Sequence, residues 1–128
     1  MIPRGGSRSR ILVASFIGLA LVGLLGGCAP GSGGSTVASP VATSTVDLPP
    51  SYKFDPPEIA VPTGTTVTWT NNDHFTHSVQ FLDSGLPGAP MTMDPGAAVT
   101  YLFDRPGVFR YQCHLHPQNM QGTVTVGP

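Results

Sequence analysis

Thr65-Thr66-Val67-Thr68-Trp69-Thr70 alternates threonine with large apolar residues at a period of two. Successive side chains of a strand point to opposite faces, so Val67 and Trp69 share a face that needs cover while the threonines meet solvent. The same alternation recurs outward from this stretch, over Thr76 to Leu82, Ala97 to Asp104, Val108 to Cys113 and Gly122 to Val126, with a shorter run from Glu58 to Val61. The breaks fall at turn residues: Pro62-Thr63-Gly64, the Gly85 to Pro90 stretch, Asp94-Pro95-Gly96 and Arg105-Pro106-Gly107. No helix of useful length is readable in this part of the chain. About 6–8 short strands in so short a domain predict an all-β fold, a Greek-key antiparallel β-sandwich.

With 128 residues the chain has room for one such domain, and its N-terminal quarter is of another kind. Arg4, Arg8 and Arg10 precede an apolar run from Ile11 to Leu25, the layout of an export leader. That run ends in Leu25-Gly26-Gly27-Cys28, which resembles the bacterial lipobox, so 1–27 reads as a lipoprotein signal peptide and Cys28 as the lipidated first residue of the mature chain. An uncleaved anchor is the competing reading, disfavoured by the small residues around Cys28. From Ala29 to about Thr45 the chain is Gly, Ser, Thr, Pro, Ala and Val without charge, a tether spanning 28–45 that holds a domain at 46–128 off the membrane. The expected location is the extracytoplasmic side of the cell membrane. Beyond the leader only Lys53, Arg105 and Arg110 stand against seven acids, which excludes the clustered cations of a nucleic-acid binder. With Cys28 acylated, Cys113 has no disulfide partner, and a thiol left alone in an oxidising compartment calls for something to occupy it.

Cys113 begins a run of soft and nitrogen donors, Cys113-His114-Leu115-His116-Pro117-Gln118-Asn119-Met120. One thiolate, two imidazoles and a weak axial thioether are the ligands of a blue-copper electron-transfer centre, so one histidine must come from far upstream. Strand parity selects it. Phe109, Tyr111 and Cys113 share one face of their strand, and His77, Val79 and Phe81 share one face of theirs, which brings inward His77 and inward Cys113 to one pole of a sandwich. His116 can turn back to the same ion three residues after Cys113, whereas adjacent His114 points away. His74 is the fallback if the register is shifted.

At these residues the chain resembles the cupredoxins, blue type 1 copper proteins, of the small plastocyanin and amicyanin kind. The likeness runs from about Phe54 to Val126 and includes Val61 to Trp69, His77-Ser78-Val79, Phe103-Asp104-Arg105-Pro106-Gly107, Tyr111-Gln112-Cys113 and Met120-Gln121-Gly122. The resemblance implies a Greek-key sandwich, one type 1 copper held by His77, Cys113, His116 and Met120, and one-electron shuttling between larger redox proteins. Three residues separate His116 from Met120, where amicyanin-like chains have two and plastocyanin-like ones four. Gln118 and Gln121 are therefore the alternative axial donors.

The expected protein is a monomer and not an enzyme, since four histidines and one free cysteine cannot furnish the extra copper centres of an oxidase or reductase. Its partners are redox proteins docking near His116, which Leu86, Leu115 and Pro117 are expected to rim, and the membrane through lipid on Cys28. A backbone amide near Ser78 is expected to hydrogen-bond the Cys113 sulfur. Copper delivery or copper resistance is the alternative function, with Met91 and Met93, read as a loop, offering soft donors for a second ion. His114 is open to a role behind the ligands.

Overall fold

The computed structural model describes residues 38–128; the leader and Cys28 lie outside them. Nine strands follow in chain order: β1 (Val41–Ala42), β2 (Thr45–Leu48), β3 (Glu58–Pro62), β4 (Thr65–Asn71), β5 (His77–Phe81), β6 (Met91–Met93), β7 (Ala98–Phe103), β8 (Gly107–Gln112) and β9 (Gln121–Gly127). They form a six-stranded sheet in the order β1-β3-β9-β8-β5-β6 and a three-stranded sheet in the order β2-β4-β7. No helix occurs among the described residues. The chain is thus an all-β sandwich.

Two features differ from the expectation. β1 pairs parallel with β3, β3 with β9, and β2 with β4, so both sheets are mixed rather than purely antiparallel. The physical reason is that the chain crosses between sheets after β3 and again after β4, so neighbours in a sheet are rarely joined by a hairpin. Second, Val41–Ala42 and Thr45 are already in strands, inside the stretch read as tether.

Alternation decides which residues meet between the sheets. Val67 and Trp69 of β4, Val79 and Phe81 of β5, Phe109 and Tyr111 of β8, and Val124 and Val126 of β9 are all buried in one core with Val46, Leu48, Phe54, Ile59 and Phe103. Trp69 lies at its centre, edge-on to Tyr111 at 5.3 Å and to Phe81 at 6.0 Å. Burial pushes the Tyr111 phenol up to about 12, so it stays neutral, and its hydroxyl donates to Pro57 O at 3.4 Å. The Tyr111 ring lies so close to Gly122 that any Cβ there would collide with it and with the Pro57 carbonyl. This close approach explains a glycine at the entry to β9.

Met91–Met93 was expected as a loop and forms β6 instead. It adds to the outer edge of β5, with Met93 opposite His77 and Met91 opposite Val79. Three residues between Pro90 and Asp94 are too few for a periodic pattern to show in sequence. The pairing fixes the start of β5, and hence His77, from the side away from β8.

Candidate metal centre

His77 opens β5, and Cys113 follows the last residue of β8. Because β5 and β8 run antiparallel, with Gln80 opposite Gln112 and Phe81 opposite Tyr111, these two ends converge. The loop after Cys113 folds back on itself. His116 N–H donates to Cys113 O at 3.1 Å, Met120 N–H to His116 O at 3.0 Å, and Cys113 N–H to Met120 O at 3.0 Å. Those bonds return His116 to the sulfur three residues after it and carry Met120 inward at the start of β9.

The result is a compact donor cluster. His77 Nδ1 lies 3.9 Å and His116 Nδ1 3.7 Å from Cys113 Sγ. The three ligand atoms all lie within 4.8 Å of one another. His77 and Cys113 are fully buried, and His116 is half-buried. The two imidazole rings meet at 5.2 Å with a 63° angle between planes. Met120 is fully buried as well, whereas Gln118 and Gln121 are exposed, Gln121 donating from Nε2 to Pro117 O at 2.8 Å.

The second ring nitrogen of His77 is committed elsewhere. Its Nε2 lies 2.8 Å from Asp73 Oδ2, with both side chains almost wholly buried. An ionised carboxylate only accepts, so Nε2 carries the proton and Nδ1 is left bare toward the sulfur. The hydrogen bond from His77, with help from the His74 N–H and against the cost of burial, holds the Asp73 carboxyl below the usual 3.8. Asp73 is itself held: Oδ1 accepts the His74 N–H at 2.6 Å, and its own N–H donates to Asn71 Oδ1 at 3.0 Å. Asn71 in turn donates from Nδ2 to Phe75 O at 2.8 Å and to Met93 O at 3.0 Å. Asn71 ends β4 and Met93 ends β6, so this buried relay ties the histidine to both sheets.

Sequence reasoning assigned no role to Asp73 or Asn71. The available clue was an acid four residues before a ligand histidine, meaningful only once a loop rather than a helix is known to join them. Tyr52 was missed too. It takes a left-handed φ of 51°, strained for an aromatic residue, and its ring stacks on Phe75 at 5.6 Å and stands edge-on to His77 at 5.8 Å and to His116 at 4.8 Å.

The other anticipated residues fall as follows. The Ser78 hydroxyl reaches the sulfur's surroundings, with Oγ 3.7 Å from Cys113 Sγ. His114 points outward and is exposed, with Nδ1 2.6 Å from the Ser78 hydroxyl. His74 is exposed and its ring stays out of the cluster. Met93 is buried in the core and Met91 packs against it, as does Leu86. Leu115 and Pro117 flank His116 at the surface, where Tyr52, Phe75 and Leu115 are exposed apolar groups.

A buried sulfur beside two imidazole nitrogens, one pre-set in the tautomer that leaves its inner nitrogen free, is a donor set for a soft or borderline metal that takes trigonal nitrogen and sulfur coordination. Copper fits it. Residues 43–127 match the family described as copper binding proteins, plastocyanin/azurin family. The chain is 32% identical to plastocyanin of Scenedesmus fuscus over 83 residues, covering 57% of this chain and 85% of that one. It is 34% identical to amicyanin of Paracoccus denitrificans over 79 residues, covering 58% of this chain and 58% of that one. Among solved structures, a purple cupredoxin from Nitrosopumilus maritimus superposes with a TM-score of 0.60 at 30% identity, over 66% of this chain and 100% of that one. An amicyanin variant in the Cu(I) state gives 0.58 at 32% identity, over 65% and 80%. The chain therefore belongs to the copper-binding plastocyanin/azurin family, with copper as its cofactor at a single site for which His77, Cys113 and His116 form the candidate ligand cluster.

Proposed function

We propose that this protein carries single electrons between redox proteins on the extracytoplasmic side of a membrane, to which lipid on Cys28 tethers it. The observation that carries the reading is the cluster of Cys113 Sγ and two imidazole nitrogens at 3.7 and 3.9 Å, one imidazole buried and the other reaching the surface. Copper bound there supplies a one-electron Cu(II)/Cu(I) couple.

The chain's own residues make that couple usable. The Cys113 loop is closed by its own backbone bonds, and Asp73 locks His77, so the donors keep their places whichever charge the site carries. Electron transfer is fast when little has to move. Met120 is the proposed weak axial donor: its side chain is buried beside the loop it terminates, while both alternative glutamines face solvent. His116 is the proposed electron port. It is the one donor of the three that is not fully buried, and Tyr52, Phe75 and Leu115 give a partner apolar surface around it on which water is easily displaced.

Copper delivery through Met91 and Met93 has less support. Met93 is buried in the core, and Met91 packs against it from β6, so the pair lacks the open, convergent thioethers that would hand on an ion.

The test is the absorption and EPR spectrum of the Cu(II)-loaded protein. One copper per chain, an intense visible charge-transfer band and a reversible potential are expected; a colourless complex or several coppers per chain overturns the reading. Tethering is checked separately, by Cys28→Ala, which is expected to move the protein from the membrane to the soluble fraction.

A further inference from the structure

The Ser78 hydroxyl is fully buried among three groups that compete for it. It lies 3.7 Å from Cys113 Sγ and 2.6 Å from His114 Nδ1, and it accepts the His114 backbone N–H at 3.0 Å. A serine hydroxyl has two lone pairs and a single proton. The amide N–H takes one lone pair, and two arrangements then remain. In one, the hydroxyl proton goes to His114 Nδ1 and the sulfur receives none. In the other, Nδ1 carries its own proton and donates it to Oγ, and the hydroxyl proton turns to the sulfur.

The distances separate them. At 2.6 Å the oxygen and nitrogen are at the short end of the hydrogen-bond range, whereas 3.7 Å to sulfur is long, and sulfur is the weaker acceptor. We propose that the one proton of Ser78 is committed to His114 Nδ1, making His114 a positioning residue that keeps a hydrogen bond off the Cys113 sulfur and so biases the copper site toward Cu(II).

The bias follows from charge. A hydrogen bond on a thiolate draws electron density from the sulfur and weakens its donation to Cu(II) more than to Cu(I), so its absence favours the oxidised ion. His114 suits this role because it is adjacent in the chain to the ligand. Its amide pins the hydroxyl while its ring takes the proton. The link spans 36 residues of sequence and couples the start of β5 to the ligand loop. The redox consequence rests on the electron-carrier reading above, whereas the proton's location does not.

Four variants of the copper-loaded full chain, measured at one fixed alkaline pH, test the proposal. His114→Ala frees the proton to turn onto the sulfur, so the preference for Cu(I) over Cu(II) rises about tenfold, about 59 mV for a one-electron couple, and the charge-transfer band moves to higher energy. His114→Asn places an oxygen where Nδ1 stood, equally far along the side chain, and keeps both quantities within about twofold of the parent. Ser78→Ala leaves the sulfur as it was, and adding His114→Ala to it produces no further shift. An unchanged potential and band in His114→Ala overturns the proposal, and so does an undiminished shift in the double variant. A fall in Cu(I) preference for Ser78→Ala places the proton on sulfur and overturns it too. Ring nitrogen NMR of the copper-free chain reads the proton directly: His114 is expected as the Nε2–H tautomer, and an Nδ1–H signal refutes the assignment whether or not the protein shuttles electrons. A parent protein without the visible band would instead sink the electron-carrier reading.

Discussion

Residues Asn71 to Ser78 and the apolar layer packed between the sheets obey opposite rules. All four buried polar or charged side chains among the described residues, Asn71, Asp73, His77 and Ser78, fall in that one segment, whereas the rest of the core is hydrophobic. Burying polar groups costs stability unless each finds a partner. Every one of the four has one, from Asn71 on Phe75 O and Met93 O to Ser78 on His114. In the apolar layer, by contrast, Trp69 Nε1 is buried with no acceptor. The molecule concentrates its directional bonding where a metal ligand must be aimed and relies on shape elsewhere. Stability and orientation are therefore separable here.

The largest test of that separation is Cys113→Ser. It is expected to abolish the charge-transfer absorption entirely while circular dichroism shows the sandwich intact, because a hydroxyl fills the space without supplying a thiolate. Trp69→Ala attacks the other region. It should cost about 3–5 kcal/mol in urea unfolding by opening a cavity, while the surviving folded, copper-loaded fraction keeps its band position. A shifted band would mean that the two regions are coupled through Tyr111.

Asp73→Asn sharpens the comparison from inside the polar segment. The shape is nearly kept, but the carboxylate that fixes the His77 tautomer and adds negative charge near the site is gone. Copper affinity is expected to fall about 10–100-fold in a competition titration, and the potential to rise. Least of all should come from Asp83→Asn, on the surface. Asp83 Oδ1 accepts from Arg110 Nη2 at 2.9 Å, and the pairing holds its carboxyl below the ordinary 3.8. A depressed carboxylate stabilises the fold above its unfolded value and ceases to do so as pH falls through its folded one. The variant's melting temperature should therefore lie slightly below the parent's at pH 7, and the gap should close in acid, with no change in colour.

Much of the architecture was legible in local pattern. Val67 and Trp69, or Phe109, Tyr111 and Cys113, declare a buried face because side chains alternate on a strand, and the inward placement of His77 followed from the same parity. What escaped has two physical causes. β1, β2 and β6 are two, four and three residues long, and β1 and β2 are held by parallel partners remote in sequence, so no local period records them. Asp73 and Tyr52 act across a loop and across the fold, respectively. Parity correctly set Ser78 opposite His77, yet the opposite face there is not wet, because Ser78 is fully buried where its hydroxyl meets His114.

The bond from Cys113 N–H to Met120 O has a further consequence. The loop's first and last residues hold each other, so the intervening residues form a cassette clipped onto the ends of β8 and β9. Adding or deleting a residue between His116 and Met120 is expected to alter the pose of the proposed fourth donor while leaving the strand register of the sandwich undisturbed. The three-residue spacing in this chain is then a property of the loop, set apart from the register of the sheets.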